Sequence, residues 1–429
     1  MKKVKFYTFG CKTNQYETQA MRELTVSTGG FSEAVGCEAS DFIVVNTCTV
    51  TSKADKEARS MIRRFHRQEP NSKIIVTGCL AEKDAGVLKD IPGVFRVFPN
   101  EDKDQIARIL SGDQIVSRQQ GFIPLSISDF HDRNKAYIKV QDGCDNHCSY
   151  CKIPLVRGRS RSRTLEDVAE EAKRLIEKGF KELILTGICL GDWGKGMAGG
   201  PGLHDIIDRL DALEGRFRIR LSSIEPKMVT ERLVSSLVRS KNVCHHLHIP
   251  LQSGSDRVLA LMNRPYRGRD YVRLIRGIRQ KMKGLSLTTD VMVGFPGETQ
   301  RDFLDTVKVV KDIVPLRVHI FPYSRRDGTV ASSLAGEVRA EIIKKRQKAI
   351  EAVAEDCSMK HRRRLVGRVD EALVENDRDG ATGLLTGYTR GYVRFLLEGP
   401  DSLKNRLIPA EMVKVDYNTT YFKYLTGIV

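Results

Sequence analysis

The sequence predicts an α/β protein built from a doubly wound parallel sheet, a partial barrel of six βα units and a small C-terminal β-barrel. Residues 1–112 alternate short apolar runs with helical periodicity, which is typical of a parallel sheet covered on both faces. Six further strand–helix units run from residue 136 to a charged helix that ends near residue 364. Residues 365–429 alternate apolar runs with turns, and residues 113–135, which lack periodicity, are predicted to be a linker.

The individual elements follow from the positions of apolar residues. In the first part, we predict strands at 3–8, 41–46, 73–77 and 94–98, and helices at 14–23, 53–67, 83–89 and 103–110. In the second part, we predict strands at 137–140, 182–186, 218–222, 246–249, 287–293 and 317–321. Its clearest helix, 164–178, begins with a Thr164-x-x-Asp167 capping pattern, and the last helix covers 335–364. The C-terminal strands are predicted at 365–374, 383–389, 392–397 and 412–419.

Composition points to an ordinary folded protein with a basic surface. The 429 residues are 41% hydrophobic and 29% charged, and 71 Lys and Arg against 54 Asp and Glu give a net charge of +17. This excess favours a polyanionic partner, nucleic acid first, although a basic surface kept for solubility has the same composition. The sequence shows no signal-peptide core, no apolar run of membrane-spanning length and no disulfide framework. We therefore expect a cytoplasmic protein that does not contact a membrane.

Three cysteines, Cys144, Cys148 and Cys151, follow the first strand of the second part with the spacing C-x3-C-x2-C. Thiolates this close together can hold one iron–sulfur cube, and three ligands leave its fourth iron open for substrate chemistry. A zinc site competes, since His147 could complete a set of four ligands, but no second Cys or His pair lies nearby. With Tyr150 directly before the last cysteine, the loop resembles the signature of the radical SAM superfamily.

That resemblance implies a [4Fe–4S] cluster on these three cysteines and S-adenosylmethionine (SAM) at the open iron. In such barrels the working residues lie at the C-terminal ends of the strands. The candidates for SAM contacts are Tyr150, Thr186, Gly187, Glu225, Gln252, Gly294, Phe295 and Pro296. Glu225 precedes a proline and could equally be a helix N-terminal carboxylate, while the glycine-bracketed stretch from Gly294 by itself indicates only a turn.

Three further cysteines each follow a strand of the N-terminal sheet. Cys11, Cys48 and Cys79 come after the first, second and third predicted strands, so they are expected at one edge of the sheet. A single cysteine beside a strand is usually a small buried apolar residue, but three in equivalent positions indicate a second metal cluster. Gly10 and Gly78 would let the backbone approach that cluster closely.

Two arginine-rich stretches are candidates for RNA contacts. After the cysteine loop, four arginines alternate with small residues: Arg157, Arg159, Arg161 and Arg163. Arginine side chains can bind phosphate groups, and some of these four could instead bind the cofactor carboxylate. A solvated charged loop would show the same pattern. In the C-terminal part, aromatic residues and arginines interleave, with Arg390 and Arg394 as the candidate RNA contacts. Ordinary strand alternation would give the same pattern.

The six cysteines in these contexts, in this order, are similar to the methylthiotransferase family over essentially the whole chain. The family has an N-terminal domain with an auxiliary [4Fe–4S] cluster, a radical SAM domain and a C-terminal TRAM domain that binds RNA. The residues around Cys11 and Cys48 look most like the branch, called the MtaB type, that modifies N6-threonylcarbamoyladenosine at position 37 of the tRNA anticodon loop. Cys189 departs from the pattern, because related sequences more often carry Asn or His there.

This resemblance implies a reaction in which one SAM methylates a sulfur on the auxiliary cluster and a second SAM yields a radical that removes hydrogen from C2 of adenine. An unactivated aromatic C–H bond has no usable acidity at neutral pH, so a radical cofactor is needed. An electron donor and a sulfur donor are also implied. The alternatives are the same chemistry on isopentenyladenosine-37 of tRNA or on a ribosomal-protein aspartate, and a non-enzymatic RNA-binding protein with structural metal.

Overall fold

The structure, a computed structural model, describes residues 1–49, 51–116, 121–130, 134–417 and 419–425. Its first part is a five-stranded parallel sheet with helices on both faces. The elements of this part are β1 (Lys2–Thr8), α1 (Lys12–Ser27), β2 (Phe31–Glu33), β3 (Phe42–Thr47), α2 (Ser52–Gln68), β4 (Lys73–Gly78), α3 (Cys79–Lys89), β5 (Val94–Val97) and α4 (Ile106–Ser111).

The strand order of this sheet is β2-β1-β3-β4-β5, and every pairing is parallel. The central strands β3 and β4 are apolar runs that are buried on both faces. One face packs against α2 and α3, and the other packs against α1 and α4. The doubly wound parallel sheet is therefore confirmed, with one extra edge strand, β2, that the sequence reading did not contain.

Part of the predicted linker packs against the second part of the chain. Ile123, Leu125, Ile127 and Phe130 are buried in its core, although residues 121–130 form no regular secondary structure. Residues 117–120 and 131–133 of the predicted linker lie outside the described residues. The described portion therefore packs against the core of the second part and is not an independent linker.

The second part contains the six predicted βα units. Its elements are β6 (Lys135–Lys139), β7 (Gln141–Asp142), α5 (Ile153–Arg157), β8 (Arg161–Ser162), α6 (Leu165–Glu177), β9 (Glu182–Thr186), α7 (Leu203–Asp211), β10 (Arg218–Leu221), α8 (Glu231–Arg239), β11 (His246–His248), α9 (Asp256–Leu261), α10 (Gly268–Lys281), β12 (Ser286–Val293), α11 (Gln300–Ile313), β13 (Arg317–Pro322) and α12 (Ala340–Arg363). Within the described residues, none of the helices has both the length and the apolarity needed to cross a membrane.

Six strands of this part curve into an open barrel. They form two parallel three-stranded sheets, β6-β9-β10 and β11-β12-β13. Two isolated parallel bridges, Ile219 to Val243 and Ser223 to His248, join the β10 edge to the β11 edge. The resulting order, β6-β9-β10-β11-β12-β13, is the predicted partial (βα)6 barrel.

The C-terminal part is a closed five-stranded barrel, consistent with the predicted TRAM domain. Its strands are β14 (Val369–Arg378), β15 (Leu385–Thr389), β16 (Arg394–Leu397), β17 (Leu407–Val415) and β18 (Thr420–Tyr424), closed in the order β14-β15-β16-β18-β17. The predicted strand at 412–419 is right only as far as Val415, because the chain then leaves β17 and Asp416 pairs with Thr419 across a turn. Asn418, inside that prediction, lies outside the described residues.

The C-terminal barrel docks at the N-terminal ends of the (βα)6 strands through two buried arginines. Arg218 and Arg220 of β10 both pair with Glu182, the first residue of β9, at 2.6 and 2.9 Å. Both guanidinium groups also donate to carbonyl oxygens of β15, Arg218 to that of Tyr388 at 2.9 Å and Arg220 to that of Thr389 at 3.1 Å. Burial alone would raise the pKa of Glu182, but the two guanidinium groups hold it well below its usual value.

The N-terminal part covers the opposite end of the barrel, where the strands finish. Arg326, in the loop after β13, donates to the carbonyl oxygen of Thr49 at 2.6 Å and pairs with Asp55 at 3.0 Å. Across the same interface, the Tyr16 hydroxyl of α1 donates to Glu171 of α6 at 3.1 Å. The C-terminal strand ends of the sheet and of the (βα)6 barrel therefore lie in one region.

Candidate metal centres

Three thiols lie at the carboxyl edge of the N-terminal sheet. Strands β1, β3 and β4 are neighbours, and near their ends Thr8, Asn46 and Thr77 are in register. Cys11 follows β1 by three residues and caps the start of α1, Cys48 directly follows β3, and Cys79 is the first residue of α3 after β4. The three thiols therefore belong to segments that leave the sheet at one edge.

The backbone at this edge leaves room beside the thiols. Gly10 has a φ of +97°, and a Cβ atom there would lie 2.6 Å from the Sγ of Cys48. Gly78 has a φ of +99°, and a Cβ atom there would overlap the carbonyl oxygen of Thr47. Both positions therefore require glycine, since a side chain would occupy the space next to Cys48 or break the β3–β4 edge. That this lets the backbone approach a cluster stays a prediction.

The second group of thiols lies in a loop that is fixed at both ends. The short antiparallel pair β7–β8 closes the loop, and the amide of Cys144 donates to the carbonyl oxygen of Gly158 at 3.0 Å. The amide of Cys151 donates back to the carbonyl oxygen of Cys148 at 3.0 Å. The backbone amide and carbonyl oxygen of Ser149 each form a hydrogen bond with a segment outside the loop. All three thiols are half-buried, so this loop presents them together at the end of β6.

Arg157 connects the two groups of thiols. It ends α5, the helix that directly follows Cys151, and its Nε donates to the Sγ of Cys79 at 3.2 Å. Its terminal nitrogens pair with Glu17 of α1 and donate to the side-chain oxygen of Asn14. The helices α3 and α5 pack on each other at this point, so the segment that follows the cysteine loop contacts the sheet edge that carries Cys79.

A buried ion network surrounds this contact. Lys139 at the end of β6 pairs with Glu17 at 2.6 Å and with Asp142 at 2.7 Å, and Lys103 also pairs with Glu17. Burial alone would raise the pKa of Glu17, but Arg157, Lys103 and Lys139 hold it well below its usual value. These side chains belong to both parts of the chain, so the network ties the N-terminal sheet to the barrel.

The thiols differ in how readily they ionise in the metal-free chain. Burial raises the pKa of Cys151 to about 12 and also raises that of Cys148. The pKa of Cys144 is lowered to about 7, chiefly by a hydrogen bond from the Cys189 thiol. Burial raises the pKa of Cys79 despite the adjacent Arg157. A bound metal would replace the proton on each of these sulfurs.

Comparison with known proteins identifies the family. Residues 138–310 match the family model described as the Radical SAM superfamily, and residues 3–98 match the Uncharacterized protein family UPF0004. The threonylcarbamoyladenosine tRNA methylthiotransferase MtaB of Bacillus subtilis (strain 168) is 33% identical, over 97% of this chain and 95% of the relative. The chain belongs to the tRNA methylthiotransferase family.

Other members of this methylthiotransferase family match over a similar extent. MtaB of Thermotoga maritima is 38% identical, over 92% of this chain and 91% of its own length. The tRNA-2-methylthio-N(6)-dimethylallyladenosine synthase of Pelotomaculum thermopropionicum is 33% identical, over 100% of this chain and 98% of its own length. The chain is therefore a radical SAM methylthiotransferase, an enzyme whose family uses a [4Fe–4S] cluster and SAM.

Among solved structures, the radical SAM methyltransferase TsrM of Kitasatospora setae superimposes with a TM-score of 0.57. It covers 77% of each chain at 14% identity, which shows a shared fold. The donor set of the cysteine loop fits the cluster of this superfamily. Its three thiols are close enough for their charges to interact, and each supplies one sulfur ligand.

The predicted SAM-contacting residues at the end of β9 lie beside the cysteine loop. Thr186 is the last residue of β9, and a Cβ atom on Gly187 would lie 2.9 Å from the Oε1 of Gln141. The side-chain amide of Gln141 donates to the carbonyl oxygen of Gly143 at 2.8 Å, while its oxygen accepts from the amide of Cys189 at 2.7 Å. Gln141 thereby holds the two loops together; no SAM role was predicted for it.

Arg264 is a residue of this site that the sequence reading missed. It is buried, pairs with Glu225, and donates to the hydroxyl of Tyr150 at 2.6 Å. Its charge also acts on Cys148. Glu225 is therefore already paired in the structure, and Tyr150 is anchored beside the thiols. The signal that could have located Arg264 is its place in a short Asn-Arg-Pro loop after α9.

The remaining predicted cofactor contacts lie at the ends of β11 and β12. Gln252 has a positive φ of +65°, and its backbone forms a bridge with Val291 of β12. Gly294 donates its amide to Glu298 at 2.8 Å, which fixes the turn after β12. Phe295 and Pro296 are buried, with the Phe295 ring edge-on to Tyr150. SAM binding by these residues stays a prediction.

The prediction of RNA contact is wrong for two arginines of the first stretch. Arg157 is buried in the ion network, and Arg163 is buried against Glu171, with which it pairs at 2.6 Å. Neither guanidinium can reach a phosphate in this structure. Arg159 is exposed, whereas Arg161 is half-exposed and donates to the carbonyl oxygens of Gly121 and Arg157.

The aromatic and arginine pattern of the C-terminal barrel serves mainly to dock it. The ring of Tyr392 stacks on His246 of β11 at 4.5 Å and on Tyr388 at 4.9 Å. Arg390 donates to the carbonyl oxygens of residues 241 and 243 and is partly exposed, and its contact with RNA stays a prediction. Arg394 is exposed and pairs with Asp379 at 2.7 Å, so it remains a candidate for RNA contact.

Proposed function

We propose that this enzyme adds a methylthio group to C2 of N6-threonylcarbamoyladenosine at position 37 in the anticodon loop of tRNA. The proposal rests above all on the contact between the two cysteine segments, in which Arg157, just after the cysteine loop, donates to Cys79 at the sheet edge. The Bacillus subtilis and Thermotoga maritima relatives are named for threonylcarbamoyladenosine in tRNA, which supports the choice of nucleoside.

In this proposal Cys144, Cys148 and Cys151 hold the cluster that binds SAM, and Cys11, Cys48 and Cys79 hold a second cluster. Together with SAM, these groups supply a radical for the C–H bond and an exchangeable sulfur. The protein contributes by orienting the two thiol groups, through Arg157 on one side and Gln141 on the other.

Several residues of the chain would then shape the SAM pocket. Tyr150, held by Arg264, provides a flat wall next to Cys148 and Cys151. The turn at Gly294, after β12, and the end of β9 at Thr186 would line the same pocket from two separate strand ends. The N-terminal part covers this end of the barrel and would keep water from the reacting carbon.

A second candidate substrate is dimethylallyladenosine, because the relative from Pelotomaculum thermopropionicum is named for it. The test is anaerobic turnover of the reconstituted enzyme on two tRNAs that differ only in whether adenosine-37 carries threonylcarbamoyl or dimethylallyl. We expect methylthio product, measured by mass spectrometry of digested nucleosides, from the threonylcarbamoyl tRNA. Product from the dimethylallyl tRNA alone would overturn the proposed substrate, and SAM cleavage without product from either would overturn the tRNA reaction.

A further inference from the structure

A fourth sulfur lies beside the three of the cysteine loop, and it matches no ligand of the two proposed clusters. Cys189, after β9, is buried, and its Sγ, the Sγ of Cys144 and a carboxylate oxygen of Asp192 all lie within 4.8 Å of one another. Two sulfurs and one carboxylate at this spacing form a donor set for a thiophilic divalent cation.

The carboxylate of Asp192 gives an independent sign of a missing ligand. Asp192 is 5% exposed, and its Oδ2 receives no hydrogen bond from any residue that the structure describes. A buried carboxylate oxygen without a donor is costly, and such groups are normally satisfied by a proton donor or a cation. A cation held between Asp192 and the two sulfurs would satisfy it.

The backbone fixes this donor set in place. The amide of Cys189 donates to the side chain of Gln141 at 2.7 Å, and the amide of Asp192 donates to the carbonyl oxygen of Cys189 at 2.8 Å. Asn146 donates through its backbone to the Sγ of Cys144 and through its side chain to the Sγ of Cys189, each at 3.4 Å. The three donors therefore need no rearrangement of the loops to meet a metal.

We propose that Cys144, Cys189 and Asp192 bind a single thiophilic divalent cation, such as Zn²⁺ or Fe²⁺, in the chain that has not yet received its radical SAM cluster. Two thiolates and a carboxylate leave the fourth tetrahedral position to water. Cys144 cannot serve the mononuclear ion and the cluster together, so the two occupancies exclude each other. This site goes beyond the proposed function and does not depend on which nucleoside is modified.

The direct test is an anaerobic Co²⁺ titration of the metal-free full-length chain, followed through the sulfur-to-cobalt charge-transfer absorption. All variants carry Cys11→Ala and Cys48→Ala so that the N-terminal thiols do not contribute. We expect Co²⁺ affinity to fall at least about tenfold in Cys189→Ser and in Asp192→Asn, because each removes a ligand. The matched control, Cys148→Ser, removes a cluster thiol outside the proposed set and should bind Co²⁺ like its parent.

Two results would overturn the proposal: unchanged affinity in Cys189→Ser or Asp192→Asn, or an equal loss in Cys148→Ser. Circular dichroism and melting temperature, compared with the parent, ensure that a loss of affinity does not reflect unfolding.

A second readout uses one equivalent of Zn²⁺ added before reconstitution. We expect Zn²⁺ to slow iron uptake in the Cys11→Ala, Cys48→Ala chain and not in its Cys189→Ser variant, and equal slowing in both would contradict a shared Cys144.

Discussion

The Nε of Arg157 donates a hydrogen bond to the Sγ of Cys79 across 3.2 Å, and this bond joins residues 78 positions apart in the chain. Arg157 ends the helix that follows the cysteine loop, while Cys79 begins a helix at the edge of the N-terminal sheet. A guanidinium next to a sulfur favours the thiolate form. Through this contact, the segment that carries the cysteine loop places a positive charge next to a thiol of the N-terminal sheet.

Replacing Arg157 should destabilise the protein strongly. The variant Arg157→Met leaves Glu17 and Asp142 buried with fewer cationic partners, so we expect the free energy of unfolding to fall by about 3 kcal/mol. Urea denaturation of the metal-free chain followed by circular dichroism measures this. Arg159→Met, on the exposed position two residues away, is the control and should change stability by no more than about 0.5 kcal/mol.

The network also predicts how stability depends on pH. Because the pKa of Glu17 is well below 4.5 in the folded chain and near 4.5 when unfolded, its contribution is present above pH 4.5. That contribution is lost as the pH falls below 4.5 toward the folded-state pKa. Glu17→Gln should therefore be less stable at pH 7 and show a shallower loss of stability in acid, measured as melting temperature between pH 7 and pH 3. A slope equal to that of the exposed control Glu177→Gln would contradict this.

The cysteine loop should not tolerate a side chain at Gly143. Gly143 has a φ of +72°, and a Cβ atom there would overlap the carbonyl oxygen of Arg159. Gly143→Ala should therefore shift the loop, and after anaerobic reconstitution the chain should hold about half the iron of the parent, since one of two proposed clusters is lost. Gly196→Ala is the control, because Gly196 has a φ of +79° with no atom within 4 Å of an added Cβ. Full iron content in Gly143→Ala would show that the loop can adapt.

The C-terminal barrel should detach when its buried ion cluster is removed. Arg218→Met and Arg220→Met, combined with Glu182→Gln so that no carboxylate is left unpaired, remove the bonds to the Tyr388 and Thr389 carbonyl oxygens. We expect limited proteolysis to cut the chain just after α12 and release the barrel, while the parent resists. Arg394→Met, on the exposed side of the same barrel, should leave the cleavage pattern unchanged.

The sequence predicted the strands that local composition determines. β9 was predicted with its observed bounds, since five consecutive residues, Glu182–Thr186, are buried and a buried parallel strand is a short apolar run. β2 was missed, because Phe31–Glu33 contains one apolar residue and pairs only at the sheet edge. The turn at Asp416 was read as strand because Val413, Val415 and Tyr417 alternate with polar residues through it.

Of the site residues, the sequence could predict only those whose place is determined by the end of a strand. The thiols of Cys11, Cys48 and Cys79 were located because parallel strands end at one edge. The burial of Arg157 was not predictable, since its partners Glu17 and Asn14 lie more than a hundred residues earlier and nothing local distinguishes it from Arg159. Long-range pairing of charges leaves no periodic signal in a sequence.

The C-terminal barrel contacts the N-terminal ends of the strands, at Glu182 and Arg218, whereas the cysteine loop lies at their C-terminal ends. Five residues of parallel strand separate the two levels by about 16 Å. A nucleic acid that contacts both levels must therefore span at least about 16 Å, and a shorter oligonucleotide cannot contact the cysteine loop and the C-terminal barrel at once.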